Sequence, residues 1–501
     1  MKSFTNTKNP LLLPVAFCLL LTAALAVGQT GTWTFTSDMA GPRRDHTATL
    51  LANGRVLVVG WQATAELYDP ATGTFSATAP TVAGHGAGSS ATLLNDGRVL
   101  IVGGNAAEQV AELYDPTTGT FALTAHPNER RGWHSATLLA DGRVLIAGGQ
   151  HYLPYPTPPP EVFLQSLTSA EIYDPASATF TLTGSMHQDR TGHAASRLPD
   201  GRVLVVGGTM TWPDQPGYGE CLASAEIYDP ASGAFSMTAS MADIRCDLWC
   251  GTAPVLANGT VLIASNAENR AELYDPASAT FSPTGNMVEA RGAASVTKLS
   301  DGRVLVAGGW RYELSVGGAI TLPSAEIYDP ATGTFSATAA MNSPRQQHTA
   351  TLLPDGRVLA TGGWDFAINS DLASAELFTY RPPVIEVEIA FRPGGGVPVI
   401  NCRNDKTMLT LPILSTPTFD ATTIDHTTVR FGPAMASEAH EHGGVPKRHE
   451  DDINGDGLMD LVFHFRFGAT GIACGDTQAI LTGSTFDGRA IQGTVAFTTR
   501  P

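Results

Sequence analysis

The chain has 501 residues, of which 47 are acidic and 30 basic, so its formal net charge is −17 at pH 7. A surplus of carboxylates repels phosphates, and nucleic acid is therefore not expected as a partner. Charged residues make up only 15 %, whereas glycine and proline number 52 and 33 and hydrophobic residues reach 43 %. This composition is typical of a turn-rich β protein with a large core and excludes a disordered chain.

The N-terminus has the pattern of a secretory signal peptide. Lys2 and Lys8 precede an apolar run over 11–27, and small residues near its end offer a cleavage site. The run contains a proline and is shorter than the roughly 20 residues that span a bilayer, so we expect cleavage and no membrane anchor in the mature chain. Residues 1–28 are therefore assigned to a signal peptide. The mature protein is predicted to be secreted, extracellular or held in the cell envelope.

A repeated pattern follows: an apolar stretch, an Asp-Gly-Arg turn, a glycine pair, an Ala-Glu strand and a closing Thr-Gly-Thr-Phe strand. The mean spacing of its glutamates is about 52 residues, as in propeller blades of four strands. Small and β-branched residues favour strands, while Asp-Gly and Asp-Pro pairs mark turns. The seven glutamates are Glu66, Glu112, Glu171, Glu226, Glu272, Glu326 and Glu376.

The closing strand is missing after the last repeat and present at the other end of the chain. It follows the Ala-Glu strand six times, whereas residues 31–39 carry the same pattern before the first repeat. We therefore predict that this N-terminal strand completes the last repeat, which removes an exposed sheet edge.

The segments RQQHTATLLPDGRVLATGG and SAEIYDPATGTFSATAAM resemble kelch repeats, in particular those of the galactose-oxidase-like central domain. The resemblance covers residues 31–380. It implies an all-β fold, in which residues 29–380 form a seven-bladed kelch-type β-propeller closed by the N-terminal strand. It does not choose a function, because kelch propellers serve as enzymes, adhesins and scaffolds.

Insertions lengthen the loops on one face of the predicted propeller. They follow the glycine pair in four repeats, at 150–169, 209–224, 310–324 and 364–374. Aromatic loops on a rigid scaffold suit recognition of a sugar or a protein, although the same rings could instead pack the loops against one another. The residues predicted to form this ligand-binding face are Tyr152, Tyr155, Trp212, Tyr218, Trp310, Tyr312 and Trp364.

An arginine recurs before the first strand of most repeats, and four of these arginines are followed three residues later by a histidine. A ring of imidazoles could bind a metal, but residues used in most repeats are normally structural. We predict that the arginines form ion pairs with the repeated glutamates and that the histidines belong to the scaffold. The histidines are His46, His134, His193 and His348.

The resemblance to galactose oxidase also implies a test for copper. In that enzyme a Tyr-His pair begins an inner strand and supplies copper ligands, and a tyrosine is cross-linked to a cysteine. Here none of the residues before the four histidines is tyrosine. From the sequence, copper is therefore not expected, and no catalytic residue is assigned. The residues before the histidines are Asp45, Trp133, Gly192 and Gln347.

Five cysteines follow the signal peptide, so at least one lacks a partner within the chain. Cys221 lies in an insertion and is predicted to bridge to Cys246, with Cys250 as the rival partner. Cys402 and Cys474 are the only cysteines after the repeats and are predicted to pair.

Residues 381–501 lack the repeat and carry alternating apolar stretches that predict a small β-sandwich. One loop has oxygen side chains at positions 1, 3, 5 and 9 of a calcium loop and a backbone carbonyl at position 7. Position 12 is Phe463, so the usual bidentate glutamate is absent, and the alternative is a simple Asp/Asn/Gly turn. We predict Ca²⁺ here, with the ligands Asp452, Asn454, Asp456, Leu458 and Asp460.

Three more histidines stand close together upstream of that loop, at His440, His442 and His449. They could bind zinc, but neighbouring glycines and a proline favour a solvated loop.

These features predict a secreted or cell-surface binding module that recognises a glycan or an extracellular protein through its insertion loops. One alternative is a galactose-oxidase-like copper radical enzyme or another carbohydrate-active enzyme. Another is a structural surface component. Spacing singles out no catalytic triad or carboxylate pair, because neighbours in a propeller are far apart in sequence.

Overall fold

The computed structural model is built almost wholly of β-strands. The helical segments among its described residues are the 3-10 turn Ala421–Thr423 and the short helix Phe467–Thr470. No helix in these residues is long and apolar enough to cross a bilayer. The described residues are 31–60, 63–104, 109–154, 162–211, 219–246, 248, 253–264, 268–315, 317–380, 384–391, 397–417, 419–442, 445–486 and 489–500.

The described residues between 31 and 380 form seven antiparallel sheets, numbered here in chain order, one for each repeat. Sheet 1 contains Thr47–Leu50, Val56–Val59, Ala65–Asp69 and Thr74–Ala77. Sheet 2 contains Ser90–Leu93, Val99–Val102, Ala111–Asp115 and Thr120–Leu123. Sheet 3 contains Ser135–Leu138, Val144–Ala147, Ala170–Asp174 and Thr179–Leu182. Sheet 4 contains Ala194–Arg197, Val203–Val206, Ala225–Asp229 and Ala234–Met237.

The remaining three sheets follow the same order of strands. Sheet 5 has three described strands, Val261–Ile263, Glu272–Asp275 and Thr280–Pro283. Sheet 6 contains Ser295–Lys298, Val304–Ala307, Ala325–Asp329 and Thr334–Ala337. Sheet 7 contains Thr349–Leu352, Val358–Thr361, Ala375–Tyr380 and, as its fourth strand, Gly31–Phe35.

The N-terminal strand pairs with the last Ala-Glu strand, as the sequence pattern predicts. Gly31 lies opposite Tyr380 and Phe35 opposite Glu376 in an antiparallel register. The Trp33 ring packs against Phe378, with centroids 5.0 Å apart. The two ends of the repeat region are thus joined in one sheet.

The second strand of each sheet is buried on both faces, which explains why it consists of Val, Leu, Ile and Ala, apart from Thr361 in sheet 7. The apolar clusters that bury it combine two neighbouring sheets. One cluster joins Val59 of sheet 1 to Ile101 of sheet 2, and another joins Val56 of sheet 1 to Leu359 of sheet 7. The sheets therefore stabilise one another.

A tyrosine hydroxyl also links most neighbouring sheets. The tyrosine of each Tyr-Asp-Pro turn is hydrogen-bonded to a threonine at the end of the preceding sheet's fourth strand, at 2.8 to 3.1 Å. The pairs are Tyr68–Thr36, Tyr114–Thr78, Tyr173–Thr124, Tyr228–Thr183, Tyr274–Thr238 and Tyr328–Thr284.

The four insertions each form a two-stranded hairpin between the second and third strands of their sheet. In sheets 3 and 4 the hairpins are Gln150–Pro154 with Val162–Ser166, and Thr209–Thr211 with Gly219–Cys221. In sheets 6 and 7 they are Trp310–Glu313 with Gly318–Thr321, and Trp364–Asp365 with Ser370–Asp371.

The residues after 383 form two four-stranded sheets that share one apolar cluster, which includes Leu411 and Phe463 of one sheet and Phe431 and Leu481 of the other. The first sheet has the order Ile385–Glu386, Ala490–Ala496, Gln478–Thr485 and Ile424–Phe431. The second has the order Glu388–Ile389, Met408–Leu414, Asp460–Arg466 and Glu450–Asp451. Two small pairs complete the region, Val399–Asn401 with Thr498–Arg500 and Glu441–His442 with Val445–Pro446.

Candidate functional site

Six of the repeated glutamates form buried ion pairs with the arginines that precede the first strands, as the sequence predicts. Five pairs have N–O distances of 2.7 to 3.2 Å, and both side chains of every pair are almost wholly buried. The pairs are Arg43–Glu66, Arg131–Glu171, Arg190–Glu226, Arg245–Glu272, Arg291–Glu326 and Arg345–Glu376.

The sheet 4 pair shows how these charges are satisfied. The Arg190 guanidinium donates to the carbonyl of Gly207 at 2.8 Å and to Glu226 at 3.0 Å. Burial opposes ionisation of Glu226, but donors from the backbone and side chain of His187 and from the backbone of Gln188 hold its pKa below the ordinary value. This ion pair holds the segment before the first strand of sheet 4 against the third strand, so its role is structural.

Sheet 2 departs from this arrangement in a way that the sequence analysis missed. His85 stands where the other repeats have arginine, and its Nε2 lies 3.3 Å from Glu112 with both side chains excluded from solvent. The carboxylate also accepts from the backbone amides of Val82 and Ala83. The signal was the position of His85, four residues after the place where other repeats carry methionine or proline.

The four repeated histidines connect neighbouring sheets. His134 Nε2 lies 2.8 Å from the Ser90 hydroxyl, and His193 and His348 make the same contact with Ser135 and Ser295 at 2.9 Å. His46 Nε2 lies 2.9 Å from the hydroxyl of Thr361 in sheet 7.

Burial and the adjacent arginines also make these rings poor proton acceptors. They lower the pKa of His46, His134 and His193 to about 3, and burial lowers that of His348 well below its ordinary value. The residues before them occupy left-handed turns, with φ of 49° at Asp45 and 53° at Trp133 and Gln347.

The predicted aromatic face is only partly within the described residues. Tyr155, Trp212 and Tyr218 lie outside them, and only the backbone of Tyr152 is described. Trp310 is half-buried in its hairpin. Trp364 lies under the Arg44 guanidinium, 4.2 Å from the ring centroid, so this ring packs within the protein.

Tyr312 is open to solvent, with 60 % of its surface exposed. It belongs to the sheet 6 hairpin, which contacts the sheet 7 hairpin through a hydrogen bond from the Phe366 amide to the Thr321 hydroxyl at 2.8 Å. Leu314, Phe366 and Ile368 are also exposed on these two hairpins. We call Tyr312, Leu314, Phe366 and Ile368 the hairpin surface.

Both predicted disulfides are present in the structure. Cys221 pairs with Cys246 and ties the sheet 4 hairpin to the segment before sheet 5, where Leu222 and Arg245 also form a β-bridge. Cys402 pairs with Cys474. The rival partner Cys250 lies outside the described residues. Two disulfides are consistent with an extracellular protein.

The loop predicted to bind calcium is closed by its own backbone. Asp452 accepts hydrogen bonds from the amides of Gly455, Asp456 and Gly457 at 2.8 to 3.1 Å. Asp460 is fully buried and accepts from the amides of Ser415 and Ile453. These contacts are those of an Asx-type turn. Ca²⁺ binding by this loop stays a prediction.

Asn454 and Asp456 share one contact within that loop, because the amide of Asn454 donates to Asp456 at 2.9 Å. Leu458 is 36 % exposed and its amide donates to Asp456. Three carboxylates of the loop do not meet within 4.8 Å among the described residues.

Three histidines do converge in the region after residue 383. One ligand atom from each of His440, His449 and His464 lies within 4.8 Å of the others. The rings of His440 and His464 stack with centroids 4.3 Å apart, and His449 meets each at an edge. Burial and the two neighbouring imidazoles lower the pKa of His464.

Only part of this cluster is recognisable from the sequence. His440 and His449 were among the three histidines of the loop, and the side chain of His442 lies outside the described residues. His464 was missed because it stands on a strand, Asp460–Arg466. The available signal was its place between Phe463 and Phe465, which are buried in the core, so that His464 must face the other way.

Comparison with solved structures shows that the chain shares its all-β fold with a known protein. It matches a structure described as a novel fungal alcohol oxidase with catalytic diversity among the AA5 family, in complex with copper. The TM-score is 0.54 at 16 % sequence identity, and the match covers 94 % of this chain and 100 % of that chain. No family model matches the sequence, and no curated protein matches it significantly.

This comparison corrects the sequence-based expectation about cofactors. Copper was not expected because no tyrosine precedes the repeated histidines, but the solved structure of similar fold is a copper complex. One dipeptide was too narrow a test, because residues that share a site in this fold come from distant repeats. The comparison gives no support for calcium.

Proposed function

We propose that this protein is an extracellular, copper-dependent oxidase of alcohol groups, with carbohydrate as its substrate class. The observation that carries the proposal is the fold match to a copper alcohol oxidase, which extends over the whole of that protein and includes the region after the repeats. It replaces the binding module that the sequence favoured.

The architecture that we propose is a seven-bladed kelch-type propeller in residues 29–380, followed by a β-sandwich in residues 381–501. The first strand of sheet 1 lies beside those of sheets 2 and 7, and the first strand of sheet 3 lies beside those of sheets 2 and 4. The first strands of sheets 6 and 7 are likewise adjacent. Inner strands that neighbour one another in this order, with sheet 1 beside sheet 7, support a closed ring of blades.

The proposed reaction removes two electrons and two protons from a CH–OH group and leaves a carbonyl. The acceptor is molecular oxygen, which becomes hydrogen peroxide, so alcohol and oxygen give one carbonyl compound and one peroxide. A bound copper ion would supply one-electron chemistry for this transfer. The part that the chain itself supplies is binding and orientation of the sugar, for which the exposed Tyr312 and Phe366 rings offer apolar faces.

Donor chemistry indicates which described residues fit copper. Imidazole nitrogen is a suitable ligand for Cu²⁺, and His440, His449 and His464 bring three such nitrogens together. Among the described residues, no three of the repeated histidines bring ligand atoms within 4.8 Å of one another, so they offer no comparable set of donors.

The test is peroxide production by the full-length protein. The purified chain is loaded with Cu²⁺, its copper content is measured, and a panel of galactose, other sugars and simple primary alcohols is assayed with a peroxidase-coupled dye. We expect peroxide that depends on both copper and one class of alcohol. The same preparation loaded with Zn²⁺ is the matched control. Copper-loaded protein that yields no peroxide with any alcohol contradicts the proposal.

A second candidate function is recognition of a glycan or an extracellular protein without turnover. The exposed hairpin surface favours it, since Tyr312 and Leu314 are 60 % and 87 % exposed on a rigid scaffold. A glycan array with the wild type and Tyr312→Ala tests it, with Phe486→Ala as a control at an exposed ring outside the hairpins. Specific binding lost only in Tyr312→Ala supports recognition. Release of peroxide from a bound sugar supports the oxidase, and no binding at all contradicts glycan recognition.

A further inference from the structure

Backbone hydrogen bonds hold the three clustered histidines in place. The amide of Ala439 donates to the His464 carbonyl at 2.7 Å, and the amide of Val462 donates to the His449 carbonyl at 2.9 Å. The amide of Lys447 donates to the His440 carbonyl at 2.7 Å. The three segments that carry the rings are therefore joined pairwise by main-chain contacts, and the cluster does not depend on ring–ring attraction.

Two of the ring nitrogens lack a hydrogen-bond partner although they are buried. Nε2 of His449 and Nδ1 of His464 are inaccessible to solvent and make no hydrogen bond within the described structure. Leaving a buried polar atom without a partner costs about 1–3 kcal/mol, so such atoms call for an explanation such as a bound ion. Both atoms belong to the same cluster, and a single cation between the rings would satisfy them together.

A buried carboxylate adds negative charge beneath the rings. Glu438 is 1 % exposed and accepts hydrogen bonds from the amides of His440 at 2.9 Å and His464 at 2.6 Å. Its one ion-pair contact among the described residues is with His464 Nδ1, at 3.8 Å. With neutral imidazoles the cluster carries a net charge of −1, which favours a cation.

We propose that His440, His449 and His464 bind a divalent transition-metal ion, Zn²⁺ or Cu²⁺, through three imidazole nitrogens. Three nitrogen donors suit these two ions and do not suit Ca²⁺ or Mg²⁺, which prefer oxygen. Because His440 is exposed, the ion would keep a position open to water, as in sites with three protein ligands. Glu438 acts as a positioning residue that fixes the backbone of two ligands.

This inference deepens the proposed function, which assigns its copper to the same three histidines, but it concerns ion binding alone and needs no turnover. The experiment is titration calorimetry of the full-length, metal-free protein with ZnCl₂ and, separately, CuCl₂. We expect one site per chain for each ion. His440→Ala should weaken binding at least 100-fold, because changes to residues that only support a ligand already cost 10–100-fold. Since His440 is exposed, this variant is expected to keep its fold.

Two further variants separate ligation from folding. His449→Ala should weaken the binding of both ions as much as His440→Ala does. Glu438→Gln should weaken their binding 10–100-fold. His426→Ala is the matched control, because His426 lies on the strand Ile424–Phe431 and outside the cluster. Its affinity should equal that of the wild type.

Electron paramagnetic resonance of the Cu²⁺ form provides a readout independent of affinity. Hyperfine splitting from three nitrogens is expected in the wild type and from two in His440→Ala. The proposed metal site is contradicted if Zn²⁺ or Cu²⁺ does not bind to the wild type. It is also contradicted if the wild type and both histidine variants bind the ions with equal affinity. Absence of peroxide with intact metal binding counts against the oxidase alone.

Discussion

Arg345 and Glu376 form an ion pair of 2.8 Å in which both side chains are wholly excluded from solvent. The same pair recurs in five other repeats, always between the segment before the first strand and the third strand. Removal of one partner leaves the other charge buried and uncompensated, and this is expensive because water cannot solvate it. The pairs therefore make each of these six sheets dependent on its own arginine.

Arg345→Met should lower the free energy of unfolding by about 3–5 kcal/mol. Denaturant unfolding followed by fluorescence measures the loss. The matched control is Arg143→Met, whose partner Asp141 lies 2.7 Å away with both side chains at least 40 % exposed. An exposed pair of this kind contributes less than about 1 kcal/mol. Equal losses in the two variants would contradict the role assigned to burial.

His193→Gln should reduce the sensitivity of the protein to acid. Burial and Arg190 lower the pKa of His193 to about 3, whereas an unfolded histidine titrates near its ordinary value of 6.5. As pH falls from about 6.5 to 3, His193 gains a proton in the unfolded chain but not in the folded chain. Its contribution to the free energy of unfolding is therefore full above pH 6.5 and is lost toward pH 3.

Between about pH 3 and 6.5, His193 should make the free energy of unfolding rise with pH by up to about 1.4 kcal/mol per pH unit. The measurement is the unfolding free energy at several pH values between 4 and 7. Glutamine can still bond to the Ser135 hydroxyl without titrating. Parallel curves for the wild type and the variant would contradict the prediction.

Asp45→Asn should stabilise the protein at neutral pH. Burial raises the pKa of Asp45 to about 6, Arg44 opposes the shift, and Asp371 adds to it. The folded chain therefore keeps a proton on Asp45 that the unfolded chain releases above about pH 4. The contribution of Asp45 to the free energy of unfolding is full below pH 4 and is lost as the pH rises through 6.

The free energy of unfolding of Asp45→Asn should exceed that of the wild type by about 2–3 kcal/mol at pH 7.5. The difference should vanish at pH 4. Asparagine also accepts the left-handed conformation at this position, where φ is 49°. Melting temperatures at the two pH values test the prediction, with Asp405→Asn as a control at an exposed carboxylate. A gain of the same size at both pH values would point to the backbone and not to the proton.

Loss of the Cys221–Cys246 bridge should destabilise the protein by about 3 kcal/mol, because the bridge closes a loop with a sequence separation of 25. The variant is Cys221→Ser with Cys246→Ser, measured by thermal melting. Cys250→Ser should melt like the wild type. Peptide mapping without reduction that finds Cys221 linked to Cys250 would contradict the assignment.

The sheets of the repeat region were predicted well from the sequence because every repeat contains the same residue pattern. Alternation, Asp-Gly turns and the displaced closing strand at Gly31–Phe35 led to the pairing with Ala375–Tyr380 that the structure contains. The ion pairs followed in the same way, since Arg345 and Glu376 occupy equivalent positions in most repeats. Repetition turns a weak local signal into a strong one.

The candidate site was harder to predict because it is built where nothing repeats. His464 is separated from His440 by 24 positions and sits in an apolar strand, so spacing alone does not join the two residues. Nothing in the sequence marks Glu438 as buried, because its burial comes from the fold. The sequence-based expectation about copper had the same limit, because metal ligands that come from distant segments leave no short motif.

The pairing of Gly31–Phe35 with Ala375–Tyr380 also has a consequence for the order of folding. Among the strands of the repeat region, a chain made from its N-terminus produces this strand first and its partner last. Throughout synthesis of the intervening repeats, a short strand with Trp33 and Phe35 remains without its neighbour and exposes unpaired backbone groups. Completion of sheet 7 is therefore the final step in assembly of the repeat region, and a chain that stops before Ala375 keeps an open edge at each end of that region.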